Sequence, residues 1–169
     1  MSVAEVAAQT GAGAGNEAQA KGITHLAVMI GEQRCLVDLP EAGEIVPMPA
    51  QNTIQKVPLT RDWFLGVVNV RGTLFTVVDL ARFMGGNFTP VSKEARLVTM
   101  SSAMNFNTTL VVSRMLGLRN SASMTALDEQ APADRPWLSQ RYRDAEGQIW
   151  YRLSLARLLA SQSFLMVGR

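Results

Sequence analysis

Short apolar runs separated by turn-forming residues dominate the hydrophobic pattern of the chain. Runs of this length, bounded by glycine, proline or polar clusters, are typical of β-strands. The pattern predicts extended segments at residues 26–30, 34–39, 44–47, 67–70, 73–80, 96–100, 107–112 and 148–153. Helical character is limited to two short turns, at residues 60–65 and 81–84, and to one amphipathic helix near residues 154–161.

Many short strands with few helices indicate a mostly β protein built from small antiparallel barrels. A doubly wound sheet would need long helices between its strands, and the spacing leaves no room for them. Residues 121–136 are predicted to be a loop, and residues 137–142 a short helix or strand. Residues 1–21, rich in Ala, Gly, Gln and Glu, are predicted to be a flexible tail. The predicted interior contains Leu74, Val78, Leu97, Leu110, Val112, Leu155 and Leu159.

Composition limits the classes of function that the chain fits. Its 169 residues, 47% hydrophobic and 18% charged, suffice for one domain or for two small barrels that share a core. The formal net charge is +2, with 7 basic and 9 acidic side chains in residues 1–95 and 9 and 5 in residues 96–169. Because no run of five like charges occurs, the usual signature of a nucleic-acid partner is missing.

The sequence also lacks the marks of secretion and of membrane insertion. Its N-terminus has neither the basic start nor the apolar stretch of a secretory signal, and no segment approaches the ~20 apolar residues that span a bilayer. The single cysteine, Cys35, excludes an intrachain disulfide and lies in an apolar run that predicts a buried thiol. We therefore expect a cytoplasmic protein without direct membrane insertion.

Residues that could support catalysis or bind a metal are sparse. His25 is the only histidine, so a histidine-based zinc site or a Ser-His-Asp triad is hard to assemble, and we expect a partly exposed strand residue. The chain has no P-loop and no Gly-x-Gly-x-x-Gly following a strand. The adjacent carboxylates Asp128 and Glu129 are predicted to be solvated in a loop. The sequence thus predicts a protein that is not an enzyme and needs no metal or cofactor.

The most informative segment is residues 65–80. Gly66 and Gly72 flank its paired strands, where a positive φ or a close backbone approach favours glycine. Asn69 is predicted to hold the turn between the strands through its side-chain amide. Arg71 lies at the tip of this turn, from which its long side chain projects outward.

This segment resembles the signature of CheW-type domains, a Gly-x-x-Asn-hydrophobic-Arg-Gly turn followed by a strand that ends in hydrophobic-Asp-Leu. Asp79, in that ending, is predicted to cap the helical turn after it. Residues 26–45 and 144–159 resemble the opening and closing segments of the same family. The resemblance covers roughly residues 24–165.

The resemblance implies two five-stranded SH3-like β-barrel subdomains with short helices, within residues 22–169 and with a boundary near residues 86–95. Proteins of this family have no activity of their own. They bridge the cytoplasmic tip of a methyl-accepting chemoreceptor and the regulatory domain of a CheA-type histidine kinase. By analogy, the expected partner-binding residues are Arg71, Asn69, Gly72, Gly66, Glu44, Ile45 and Ala42.

Two segments depart from the main chemotaxis form of the family. Residues 112–115 replace its second-half motif, and residues 137–143 form an unusual aromatic and basic block. Both look more like the PilI branch, which serves type IV pilus twitching systems. The resemblance therefore implies a scaffold in a chemosensory array that controls twitching motility.

Two other classes of function stay open on the residues alone. A peptide- or RNA-binding small β-barrel could use Trp63, Phe64 and Phe75, with arginines nearby, as a stacking platform. The alternation of Phe75 with Val77 argues that these side chains belong to the core. An enzyme would require a pocket in which ionisable groups converge.

Deleting residues 1–20 should leave the thermal stability of the protein nearly unchanged. The segment carries too little apolar surface to offset an ordering entropy of about 1–2 kcal/mol per residue. Thermal unfolding of the truncated and full-length chains provides the measurement. A fall of more than a few degrees in melting temperature would show that the tail packs on the fold.

Overall fold

The computed structural model describes residues 24–127 and 131–168, and most of this part of the chain is extended. The predicted tail of residues 1–21 lies outside the described residues, as do Asp128 and Glu129. The described residues form the strands β1 (Thr24–Ile30), β2 (Gln33–Asp38), β3 (Ala42–Pro47), β4 (Phe64–Val70), β5 (Thr73–Asp79), β6 (Arg96–Met100), β7 (Thr108–Val112), β8 (Arg114–Asn120), β9 (Thr125–Leu127), β10 (Leu138–Arg143) and β11 (Ile149–Leu153).

The helices are short and lie at strand ends. They are α1 (Leu80–Phe83), α2 (Leu155–Leu159) and α3 (Gln162–Leu165), with single turns of 3-10 helix such as Leu39–Glu41. Asp79 begins α1 as predicted, because its carboxylate accepts the backbone N–H of Arg82 at 3.4 Å. The same carboxylate accepts the backbone N–H of Thr89 at 2.7 Å and the Thr89 hydroxyl at 2.9 Å. Asp79 therefore fixes both the helix start and the loop that follows.

The strands form two sheets rather than two five-stranded units. One has six strands in the order β8-β1-β2-β11-β10-β9, and the other has five in the order β3-β6-β7-β5-β4. The pairs β2–β11 and β5–β7 are parallel, and the other pairs are antiparallel. The mostly β class is confirmed. Among the described residues, however, the end strands of each sheet do not pair with each other, so neither sheet closes into a hydrogen-bonded barrel.

The chain changes sheets twice. It leaves the six-stranded sheet after β2, builds β3 to β7 in the other sheet, and returns at β8. Residues 86–95, where the resemblance implies a boundary between subdomains, join β5 and α1 to β6, and β5 and β6 belong to the same sheet. The strands of the five-stranded sheet are therefore inserted in the chain between β2 and β8 of the six-stranded sheet.

Both faces of the five-stranded sheet are apolar and buried. Val78 of β5 packs in a large core that includes Leu26, Cys35 and Leu153 of the six-stranded sheet. Its neighbour Val77 points to the other face and packs in a second cluster. The buried residues of this second cluster are Val68, Val77, Leu97 and Val111. The partly buried side chains that pack against them are Val46, Met48, Ile54, Leu65, Val70 and Phe75. The five-stranded sheet is thus enclosed on two sides.

Several local predictions were wrong. Residues 60–65 are not a helical turn: Thr60 forms a bridge to Gly168 and β4 already begins at Phe64. The strands β8 and β9 were not predicted, and neither was α3, which begins after the predicted helix of residues 154–161; that helix itself is present as α2. These errors share one cause, because the missed features depend on pairing between distant segments. The strand β8, for example, follows β7 directly, so no change in the hydrophobic pattern marks where it begins.

The predicted interior is mostly confirmed. Val78, Leu97, Leu110, Val112 and Leu155 are at most 2% exposed, and Leu159 packs against the core while partly exposed. Leu74 is the exception, with 63% of its surface exposed. It lies in β5 beside the hairpin turn, beyond the part of the sheet that the opposite layer covers.

Replacement of Leu110 by Ala should lower the free energy of unfolding by about 2–5 kcal/mol, because it leaves a cavity in the large core. The same truncation at Leu74 should cost less than about 0.5 kcal/mol, as expected for an exposed side chain. Urea unfolding of both variants provides the comparison. Similar losses for the two leucines would contradict the burial described above.

Candidate partner-binding site

The turn between β4 and β5 presents the residue that the sequence analysis singled out, Arg71. Val70 pairs with Thr73, which leaves Arg71 and Gly72 as a two-residue hairpin loop. Their φ angles are +51° and +86°, the signs of a type I′ turn, in which glycine is favoured. The side-chain oxygen of Asn69 accepts the backbone N–H of Gly72 at 2.8 Å. The role predicted for Asn69 as the residue that holds the turn is therefore confirmed.

Arg71 pairs with a residue at the opposite edge of the same sheet. Its Nη1 lies 3.1 Å from Oε1 of Glu44, which belongs to the edge strand β3. The pair bridges the two ends of a sheet whose strand order is β3-β6-β7-β5-β4, so the sheet must curl strongly around the second cluster. The side chains are 70% and 33% exposed, which leaves the guanidinium open to solvent and to a partner.

The structure separates the seven expected contact residues into two groups. Arg71, Gly72 and Asn69 are exposed and Glu44 is half-buried, and these four lie at or beside the hairpin tip. The other three are buried, namely Ala42, Ile45 and Gly66. These three residues therefore present little accessible surface.

Gly66 lies where two backbone segments approach each other closely. Its φ is +137°, and a Cβ at this position would lie 2.1 Å from the carbonyl oxygen of Gln55. Gln55 exchanges backbone hydrogen bonds with Val67 and so covers the free edge of β4. Only glycine allows this close approach, which is the role that the sequence pattern predicted for it.

A groove of about 760 Å³ extends from the Arg71–Glu44 pair along the curled sheet. The hairpin contributes Thr73 and Phe75 to its lining, and the loop before β7 contributes Phe106. The loop of residues 101–107 was not predicted as part of the site, because it reaches the hairpin only through the parallel pairing of β5 with β7. The only sequence feature that pointed to this loop as a contact surface was the aromatic residue Phe106 between polar neighbours. In the structure Phe106 is exposed.

A buried ionic cluster anchors the segment that leads into β3. His25 is fully buried with its Nδ1 2.9 Å from Oδ1 of Asp38, so the expectation that it is partly exposed was wrong. Arg152 donates from Nε and Nη2 to the two carboxylate oxygens of Asp38. Burial alone would raise the pKa of Asp38, but the neighbouring His25 and the hydrogen bonds and charge of Arg152 outweigh it and lower the pKa to about 2.

The same segment is fastened again at Glu41. Its carboxylate accepts the backbone N–H groups of Leu155 and Ala156, each at 3.0 Å, at the start of α2. Its carbonyl oxygen accepts the backbone N–H of Ser101 at 2.9 Å. The crossing between the two sheets is therefore held from both sides before the chain reaches Glu44.

The stacking platform that an RNA-binding module would need is not assembled. Trp63 is buried, with its ring centroid 4.9 Å from that of Phe83 and 6.0 Å from that of Phe164. Phe64 packs against the large core, whereas Phe75 belongs to the second cluster on the other face of the sheet. The three aromatic residues therefore do not share an exposed surface.

The described residues also bear on three other functions, namely metal binding, thiol chemistry and membrane crossing. In residues 24–127 and 131–168, no three His, Cys, Asp or Glu side chains are grouped so that they could hold a metal ion. Cys35 is a free, buried thiol as predicted, and burial raises its pKa to about 12. Over the same ranges, the helices are too short or too polar to cross a bilayer.

The family model for the CheW-like domain matches residues 24–163, and the chain belongs to this family. It is accordingly a CheW-like adaptor of chemotaxis-type signalling.

Two known proteins illustrate the relationship. Protein PilI of Pseudomonas aeruginosa is 27% identical over 131 residues, which cover 76% of this chain and 70% of PilI. The crystal structure of the scaffolding protein TtCheW from Thermoanaerobacter tengcongensis superimposes with a TM-score of 0.66 at 17% identity. That match covers 88% of this chain and 99% of the TtCheW chain, and it confirms the fold.

Asp38→Asn should lower the free energy of unfolding at pH 7 by about 1–2 kcal/mol, because a carboxylate whose pKa falls on folding stabilises the fold when ionised and solvent screens part of the effect at this partly exposed site. This stabilisation is present above the unfolded pKa of 3.8 and is lost as the pH falls through about 2. Urea unfolding at pH 7, 4 and 2 gives the measurement. The difference between the wild type and the variant should shrink toward pH 2, and a constant difference would contradict the assignment.

Proposed function

We propose that this chain couples the cytoplasmic tip of a methyl-accepting chemoreceptor to the regulatory domain of a CheA-type histidine kinase in a type IV pilus twitching system. Membership of the CheW-like family supports the adaptor role. The similarity to PilI supports the pilus pathway over the flagellar one. The proposal requires no catalytic residue and no cofactor, and it places the chain in the cytoplasm with the receptor tip.

The observation that carries the receptor contact is the conformation of Arg71. Its φ of +51° suits Asn, Asp or Gly better than a long side chain, so the turn itself does not need an arginine. The residue is nevertheless held in a defined direction by the Asn69–Gly72 hydrogen bond below it and by Glu44 beside it. An exposed guanidinium in a fixed place suits bidentate recognition of a partner carboxylate or backbone carbonyl.

The other six predicted residues have two proposed roles, contact with the receptor and support of the strands. Gly72, Asn69 and Glu44 would lie at the receptor surface together with Arg71. Ala42, Ile45 and Gly66, which are buried, would support the strands that carry the site. The kinase would use a different surface, since a scaffold must hold both partners at once.

Arg71→Asn should weaken binding to a receptor cytoplasmic fragment by about 1–3 kcal/mol, the range expected of an interface arginine. Asparagine tolerates a positive φ, and exposed ion pairs contribute at most about 1 kcal/mol, so the melting temperature should change little. Binding to the kinase regulatory domain should be nearly unaffected. Isothermal titration calorimetry with each purified partner separates the two effects.

A matched control is available on α1. Arg82 also forms an exposed ion pair, with Asp62 at 2.7 Å, but it does not line the groove beside Arg71. Arg82→Ala should bind the receptor fragment normally. Normal receptor binding by Arg71→Asn, or an equal loss in both variants, would reject Arg71 as a receptor contact.

The pilus pathway is tested in a strain that lacks the gene for this chain. If the wild-type chain restores twitching and a natively folded Arg71→Asn chain does not, the result would support the pilus pathway.

A further inference from the structure

The strand that carries Glu44 contains a β-bulge opposite Thr99. Ala42 pairs with Met100 and Ile45 pairs with Val98, so that two residues, Gly43 and Glu44, oppose the single residue Thr99. A bulge of this kind leaves a residue without its regular ladder partner and turns its side chain to a new direction. The direction of Glu44 therefore depends on how the bulge is held.

The Thr99 side chain supplies the missing partner. Its hydroxyl oxygen accepts the backbone N–H of Glu44 at 2.7 Å, and the residue is only 4% exposed. The backbone of Gly43 also lies close to Thr99. A Cβ on Gly43 would lie 2.5 Å from the Thr99 hydroxyl oxygen and 2.9 Å from the Met100 carbonyl oxygen. One buried hydroxyl thus fixes the bulge, and glycine at position 43 makes room for it.

The Arg71–Glu44 pair cannot hold this geometry by itself. Both side chains are substantially exposed, and pairs of this kind contribute little because solvent screens them and their ordering has an entropic cost. The position of Glu44 must therefore come from the backbone. Thr99 and Glu44 both line the groove that extends from the hairpin, so the hydrogen bond between them also defines the wall of that groove.

We propose that Thr99 is a positioning residue of the partner-binding site: its buried hydroxyl holds the Glu44 bulge and so keeps the Glu44 carboxylate in place to pair with Arg71 at the receptor surface. This inference rests on the proposed function of Arg71 as the receptor contact. Thr99 itself touches the partner little, since almost all of its surface is buried.

The experiment compares two substitutions that differ mainly in the hydroxyl. Thr99→Val keeps the branched shape and removes the acceptor, whereas Thr99→Ser keeps the acceptor. Thr109→Val is the matched control, because Thr109 is equally buried in the same sheet and its hydroxyl donates to the Thr76 carbonyl at 3.0 Å, away from the bulge. Each variant is measured for the hydrogen-exchange rate of the Glu44 amide and for affinity to the receptor fragment.

In Thr99→Val the Glu44 amide should exchange about tenfold faster or more, and receptor affinity should fall about five- to tenfold, roughly the effect of one hydrogen bond. Thr99→Ser and Thr109→Val should retain wild-type values for both. In an Arg71→Asn background, Thr99→Val should produce little further loss of affinity. This non-additivity is expected when one residue acts through another, and a purely structural role would not produce it.

The outcomes separate the two proposals. If Arg71→Asn weakens receptor binding and Thr99→Val does not, the positioning role is overturned while the proposed receptor contact stands. If Thr99→Val leaves Glu44 exchange unchanged, or if Thr99→Ser weakens binding as strongly as Thr99→Val, the role of the hydroxyl is also overturned. Normal binding by Arg71→Asn would reject the receptor contact itself, and the positioning role would fall with it.

Discussion

The burial of both faces of the five-stranded sheet is the constraint from which the rest of the architecture follows. Adjacent residues such as Val77 and Val78 point to opposite faces, and both are apolar. The six-stranded sheet covers one face, and the sheet covers the other by curling around Met48 and Ile54. Curling brings the edge strand β3 to the β4–β5 hairpin, so the contact between Glu44 and Arg71 results from how the core is enclosed.

Features that depend on neighbouring residues were predicted well from the sequence. The hairpin loop, the Asn69 hydrogen bond and the Asp79 cap each involve residues close together in the chain, and the amino-acid types at these positions restrict the backbone strongly. Most strands were also predicted, because alternating or continuous apolar runs indicate their buried faces directly. The sequence therefore predicted the tip of the candidate site in some detail.

Features that depend on distant pairing were not predicted. Whether Leu74 is buried depends on where the opposite layer ends, and His25 is buried in β1, which lies between β2 and β8 in the six-stranded sheet. The bulge opposite Thr99 is visible only once β3 and β6 are in register. In each case the neighbouring residues in the sequence were compatible with either conformation or burial state. Contacts with residues distant in the sequence decided which one occurs.

The candidate site owes its geometry to the backbone more than to its ion pair. The type I′ turn directs Arg71 and favours glycine at position 72, and the bulge directs Glu44 and requires glycine at position 43. Strands buried on both faces resist displacement, because moving one would open gaps in two clusters at once. The backbone beneath Arg71 is thus ordered before a partner binds, and such pre-organisation raises affinity without additional contact area. The geometry of the candidate site therefore depends on the rigidity of the sheet beneath it.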